Sequence, residues 1–207
     1  MKIIALFEDE DDKHLVGQIA RELKLPNIQR EPISLKGYDA TKLRKRLEIV
    51  LREEHDRIVL VLDADHAPTG GPAIRWREVL TALRGAGLAM PDGLSTDDGL
   101  VHDLADGRRI AVWLFPDCRA EGALEDFLLA TLVPEGDALI VHAGQAISAL
   151  PERRFPEKYA RKAEVCTWLA WQRRPGLPPG RAIAEKVLAV DEARLGAFAR
   201  WLRRALS

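Results

Sequence analysis

Apolar positions gather into short unbroken runs, separated by segments with helical spacing. The strongest runs are residues 2–7 (KIIALF), 58–62 (IVLVL) and 109–115 (RIAVWLF). Continuous apolar runs bounded by polar residues predict strands buried on both faces, as in parallel sheets. After the first run, Leu15, Ile19 and Leu23 recur at intervals of four. They predict a helix capped by Asp11 or Asp12 and ending near Leu25, before Pro26. Residues 31–35 predict a short second strand. Asp39 caps a helix over about 41–55, with Leu43, Leu47, Val50 and Leu51 as its buried stripe. A strand at 57–63 follows, then a loop at 66–72 with two prolines and two glycines, then a helix over about 73–86. Residues 88–107 are irregular, with a short edge strand near 100–104. Beyond the 109–115 strand, Leu124, Phe127, Leu128 and Leu132 mark a helix. The apolar stretch 138–141 suggests another strand, and helices fill the chain from Pro156 onward, the last two over about 181–187 and 191–205.

Strands alternating with helices predict an α/β fold, a mainly parallel central sheet with helices on both faces. With 207 residues, 47% of them hydrophobic, the chain suits one domain, 1–207, with a helical C-terminal extension over about 151–207. No apolar run approaches the length of a membrane span. Residues 2–7 are followed at once by a cluster of acids, so they read as a strand and not as a signal peptide. Cys118 and Cys166 are far apart and lack a CxxC partner. Neither a disulfide framework nor a zinc site is suggested, and a reducing cytoplasm fits.

Charge changes the picture. The net charge is −1, but residues 1–150 carry a net −8 and residues 151–207 a net +7. The basic part suits a phosphate backbone, and equally the solvated faces of late helices. The acids fall at strand ends. Asp63 and Asp65 close one buried run, Glu8 another and Asp117 a third. On an extended chain, residues i and i+2 point the same way, so Asp63 and Asp65 would aim at one spot beyond the strand. Open α/β sheets bind ligands there. The same pair also suits a turn and a helix cap. Glu125 and Asp126 fall in a first helical turn, where acids compensate the dipole. Phosphate loops, dinucleotide-binding glycine turns and Gly-x-Ser-x-Gly elbows are all missing from the sequence.

A Glu ending a first strand, then a strand ending Asp-x-Asp, resembles the TOPRIM domain of topoisomerases, primases and OLD-type nucleases. Glu8 matches that family's glutamate, and Asp63 and Asp65 its Asp-x-Asp. Asp9 stands where the family usually has Gly. The resemblance implies that these acids bind Mg²⁺ and support phosphoryl transfer. A closer resemblance spans almost the whole chain. Asp11-Asp12-Lys13, Asp63-Ala64-Asp65, Arg75-Trp76, Trp113-Leu114-Phe115-Pro116-Asp117, Gly122-x-Leu124-Glu125-Asp126-Phe127, Lys162-Ala163 and Trp168-Leu169-Ala170-Trp171-Gln172 look like the TOPRIM-like prokaryotic family DUF3226.

Two classes of function follow. In the first, the protein is a metal-dependent, nuclease-like enzyme acting on nucleic acid. Asp63 and Asp65 hold Mg²⁺ or Mn²⁺, and Glu8 completes the shell or acts as general base. Asp117, with Glu125 or Asp126, holds a second ion. Lys13, Arg75 or Lys162 contacts phosphate. In the second, the acids serve a non-catalytic module that binds metal or a protein partner, on a degenerate TOPRIM or receiver-like scaffold. A receiver would need a Lys after a late strand, and the 109–115 run ends in Pro-Asp instead.

Overall fold

A computed structural model describes residues 1–26, 28–32 and 38–207. The strands are β1 (Ile3–Phe7), β2 (Gln29–Pro32), β3 (Arg57–Asp63), β4 (Leu100–Asp103) and β5 (Arg109–Phe115). The helices are α1 (Glu10–Glu22), α2 (Ala40–Val50), α3 (Pro72–Gly85), α4 (Leu124–Thr131), α5 (Ala138–Ser148), α6 (Ala160–Ala170), α7 (Pro179–Ala184), α8 (Glu192–Leu195) and α9 (Ala197–Leu206). A single 3-10 turn, Glu157–Tyr159, leads into α6.

Among the described residues the strands form one open sheet in the order β2-β1-β3-β5-β4. The first four are mutually parallel, and β4 pairs antiparallel with β5 at the edge. The fold is therefore α/β with a mixed, mostly parallel sheet. The apolar runs behave as expected: β1 is buried throughout, β3 is buried apart from its two end residues, and β5 apart from Arg109.

Chain direction fixes where the strand ends open. From β1 the chain crosses to β2 on one side, then returns past β1 to β3 on the other. Right-handed crossovers then put α1 on one face and α2 on the opposite face. α2 packs against α3, and α1 against α7. The direction of winding thus reverses between β1 and β3. Helices diverge at such a switch point and leave a crevice at the carboxyl ends of the strands.

Several local expectations need correcting. Asp9, and not Asp11 or Asp12, caps α1: its Oδ1 accepts from the amides of Asp11 (2.9 Å) and Asp12 (3.2 Å). The helix then ends at Glu22. The second strand lies at Gln29–Pro32, and residues 33–35 of the expected strand lie outside the described residues. Residues 138–141 open α5 rather than a strand, because Asp137 caps the chain there, its Oδ1 accepting from Leu139 N at 2.7 Å. The final helix is divided at Gly196, whose φ of 54° breaks helical geometry. Other readings hold: Asp39 caps α2 through Lys42 N at 2.8 Å, and an edge strand occupies 100–103.

The last helix belongs to the core. Phe198 packs edge-on against Trp113 and Phe127, with ring centroids 5.1 and 4.9 Å away, and the Trp201 indole donates to Leu100 O at 3.0 Å. This junction depends on Gly99. Its φ is +76°, and a Cβ there would lie 2.5 Å from Trp201 Cδ1 and 2.8 Å from Trp113 Cε3. Backbone strain and ring displacement add, so Gly99→Ala is expected to cost about 2 kcal/mol. A urea denaturation midpoint unchanged from wild type would contradict this.

Candidate functional site: an acidic cavity with a basic rim

The switch-point crevice is a cavity of about 620 Å³. Parallel pairing of Phe7 with Val61 sets the ends of β1 and β3 side by side. Glu8 therefore sits next to Asp63, and its Oε2 accepts from Asp63 N at 3.3 Å. Asp63 Oδ1 in turn accepts from Leu124 N at 3.1 Å, placing the carboxylate at the N-terminus of α4. A helix N-terminus stabilises negative charge. Asp12 enters from α1. Because Asp9 is the cap, Asp12 occupies the third helical position, and its Oδ2 accepts from Asp9 N at 3.2 Å. It is 1% exposed.

Asp65 reaches the same cavity by a different route from the one expected. The chain leaves the extended conformation there (φ 59°), and Asp65 is held by reciprocal backbone bonds with Gly122, at 2.8 and 3.1 Å. Gly70 must be glycine beside it, since a Cβ would lie 2.5 Å from Asp65 Cβ. Lys158, Tyr159, Arg161 and Lys162 also line the cavity. Lys162 Nζ lies 3.6 Å from Glu125 Oε1, and Arg161 Nε lies 3.7 Å from Asp126 Oδ1.

Crowding shows in the proton affinities. Burial, then the Asp65 charge, raises the Glu8 pKa from 4.5 to about 7. Burial, then the Asp9 charge, holds Asp12 well above the usual carboxylate range. Asp63 shifts the same way through burial, with Asp12 and Glu8 adding to it. Burial also raises Glu125, against the pull of Lys162. For Lys162, burial opposes the charged form, but Glu125, Asp9 and Asp11 outweigh it and raise its pKa. Like charges held in a low-dielectric crevice resist ionising together.

The expected site residues divide into two groups. Glu8, Asp63, Asp65, Glu125, Asp126 and Lys162 line one cavity. Asp117 is not in its lining: its Oδ1 accepts from Arg119 N (3.0 Å) and Ala120 N (2.7 Å), closing its own turn. Lys13 pairs with Glu10 at 2.8 Å on α1. Arg75 is buried behind Asp65. Its Nε donates to Asp63 O at 2.9 Å, its Nη2 to Asp65 Oδ2 and its Nη1 to Glu78 Oε2 at 3.3 Å. Its guanidinium also covers the Tyr38 ring, 3.5 Å from the centroid. These bonds commit Arg75 to the protein, and the basic side chains that line the cavity are Lys158, Arg161 and Lys162. Sequence reasoning missed Asp12, Lys158 and Arg161. The signal for the two cations was the i, i+3, i+4 spacing of Lys158, Arg161 and Lys162.

The carboxylates lining the cavity are hard oxygen donors, the type that selects Mg²⁺ or Mn²⁺, and the His66 imidazole lines it beside them. Among the described residues, however, no three His, Cys, Asp or Glu side chains are grouped closely enough to hold an ion as they stand. By donor type the cavity's carboxylates fit a divalent cation; by their spacing among the described residues they do not form a ready-made site.

Fold and cavity together define an α/β protein with an acidic cleft at the carboxyl ends of its parallel strands. The chain belongs to the DUF3226 family, proteins of unknown function, whose family model matches residues 2–207. No curated protein and no solved structure matches it. Among the described residues no helix is long and apolar enough to cross a membrane.

Proposed function

We propose that this protein carries out Mg²⁺- or Mn²⁺-dependent phosphoryl transfer on nucleic acid, as a TOPRIM-like, nuclease-like enzyme. The observation that carries the reading is the cavity itself. Glu8, Asp12 and Asp63 crowd one wall with raised proton affinities, and Lys158, Arg161 and Lys162 line the rim. Repulsion among buried carboxylates is what a bound cation relieves. Asp63 and Asp65 would hold the ion with Glu8 or Asp12, and the bound ion would supply Lewis acidity toward a phosphate oxygen. The rim cations hold the phosphate backbone. Glu8 lies beside Asp63, its Oε2 accepting from the Asp63 amide at 3.3 Å, which places it to complete the metal shell or to take a proton from a metal-bound water. Glu125 and Asp126 orient Lys162 and Arg161 on the rim.

The test is calorimetric titration of Mg²⁺ and Mn²⁺ into wild type and into Asp63→Asn/Asp65→Asn. Saturable binding at metal concentrations on the order of 10⁻³ M or lower, lost in the double variant, is the expected result. Metal-dependent cleavage of single- or double-stranded DNA or RNA then establishes the reaction.

One observation favours a second reading: the ungrouped ligand geometry among the described residues suits a non-catalytic module that binds a protein partner. A flat titration through the millimolar range selects it and overturns the enzyme.

A further inference from the structure

A second cavity of about 270 Å³ adjoins the acidic one and has no part in the function proposed above. Leu128, Val165, Leu169, Leu177, Pro178 and Pro179 supply apolar walls to it. Leu124, Glu125 and Lys162 line both cavities, so the partition between them is the Glu125–Lys162 ion pair, 3.6 Å long. On one side of Lys162 lie the acids and the cationic rim. On the other lies a mainly apolar recess formed by α4, α6 and the chain leading into α7, with Asp11 of α1 at its edge.

An occupant of both sides must combine an anion with a compact group having apolar faces, joined by a short link. A nucleotide has that form, because its phosphate and its base are one sugar apart. The recess is slightly smaller than the roughly 300–1,000 Å³ of drug-sized pockets, so it takes one ring system and not a base pair. Walls of leucine, valine and proline contact base faces rather than base edges, which makes the contact tolerant of sequence. We propose that the recess holds one unpaired nucleobase of a nucleic-acid strand whose phosphate lies at Lys162. The inference rests on the reading of the acidic cavity as a phosphate site and specifies its substrate as single-stranded, or locally opened, nucleic acid.

Cys166 provides a reporter. It lines the recess and is exposed, whereas Cys118 is buried with its thiol pushed up to about 12 by that burial. Maleimide labelling of the native protein therefore reads Cys166. The probes are an oligothymidylate and a strand of equal length built from abasic residues, with Ca²⁺ replacing Mg²⁺ to keep the strands intact. Binding is followed by fluorescence anisotropy. The oligothymidylate is expected to bind about tenfold more tightly than the abasic strand, and to slow labelling by a similar factor. The abasic strand binds through its phosphates and leaves Cys166 reactive. Cys166→Trp, which fills the recess, brings both strands to the same affinity. If that variant does not fold, the labelling comparison on wild type still decides. Equal affinity and unprotected Cys166, with binding still abolished by Asp63→Asn, would overturn the nucleobase site and leave the acidic-cavity reading intact. Failure of both strands to bind would overturn both.

Discussion

Metal-free protein is expected to lose about 3 kcal/mol of stability through Glu8 alone as pH rises from about 4.5 to about 7. In the unfolded chain Glu8 releases its proton near 4.5, and in the folded chain near 7. Within that window the folded state holds a proton that the unfolded state has released. Stability therefore falls with rising pH, is fully present below the lower value and stays at its reduced level above the upper one. Asp12 and Asp63 act with the same sign, from their ordinary value of 3.8 upward. Glu8→Gln removes the titration while keeping an oxygen for the Asp63 amide. Urea denaturation of both proteins in chelator, at several pH values, isolates the Glu8 contribution. The variant should gain on wild type through the window and become the more stable of the two at neutral pH. Parallel stability curves would contradict the burial of Glu8. Millimolar Mg²⁺ should then recover much of the loss in wild type and little in Glu8→Gln, since a ligand that binds only the folded state stabilises it.

The sequence showed where these acids lie but not how they meet. Runs 2–7, 58–62 and 109–115 were legible because a strand buried on both faces has no polar positions to obscure its limits. Their acidic ends follow from the same pattern, which would bring Glu8 to Asp63 if the two strands were neighbours, and the pairing of β1 with β3 makes them so. Asp65 was legible for the wrong reason. It reaches the cavity through a left-handed backbone turn pinned to Gly122, and not through the two-residue repeat of an extended strand. Asp12 was hidden by redundancy. In a run of five acids any member can cap a helix, and moving the cap to Asp9 is what turns Asp12 inward. The strand expected at 138–141 failed because α5 has only Ala143 buried and no charged face to display a helical period. Only its cap, Asp137, gave it away. Asp117 sits at a strand end like the others, but local turn closure captures its carboxylate, and nothing in residue order separates these two outcomes.

Arg75→Ala is expected to destabilise the protein by about 3 kcal/mol, the second large effect. Arg75 is 3% exposed and joins two elements: it leaves α3 to meet the Asp63 carbonyl and Asp65 at the end of β3. Its loss strands that carbonyl in a buried position and leaves Asp65 facing Glu8 without a nearby cation. Part of the Coulombic gain is screened, since the Asp65 side chain is 48% exposed, so the estimate sits at the low end for a broken buried pair. Arg75→Lys keeps the charge but cannot reach the carbonyl, Asp65 and Glu78 at once, so an intermediate loss is expected. Arg75 also lowers the Glu8 pKa, and removing it should push the Glu8 titration to higher pH. A double-mutant cycle with Asp65→Asn separates these contributions. Chemical denaturation of the four proteins should give a coupling of about 1 kcal/mol between the two side chains. Strict additivity would mean that Arg75 acts through the Asp63 carbonyl and packing alone, and that Asp65 reaches the cavity without its help.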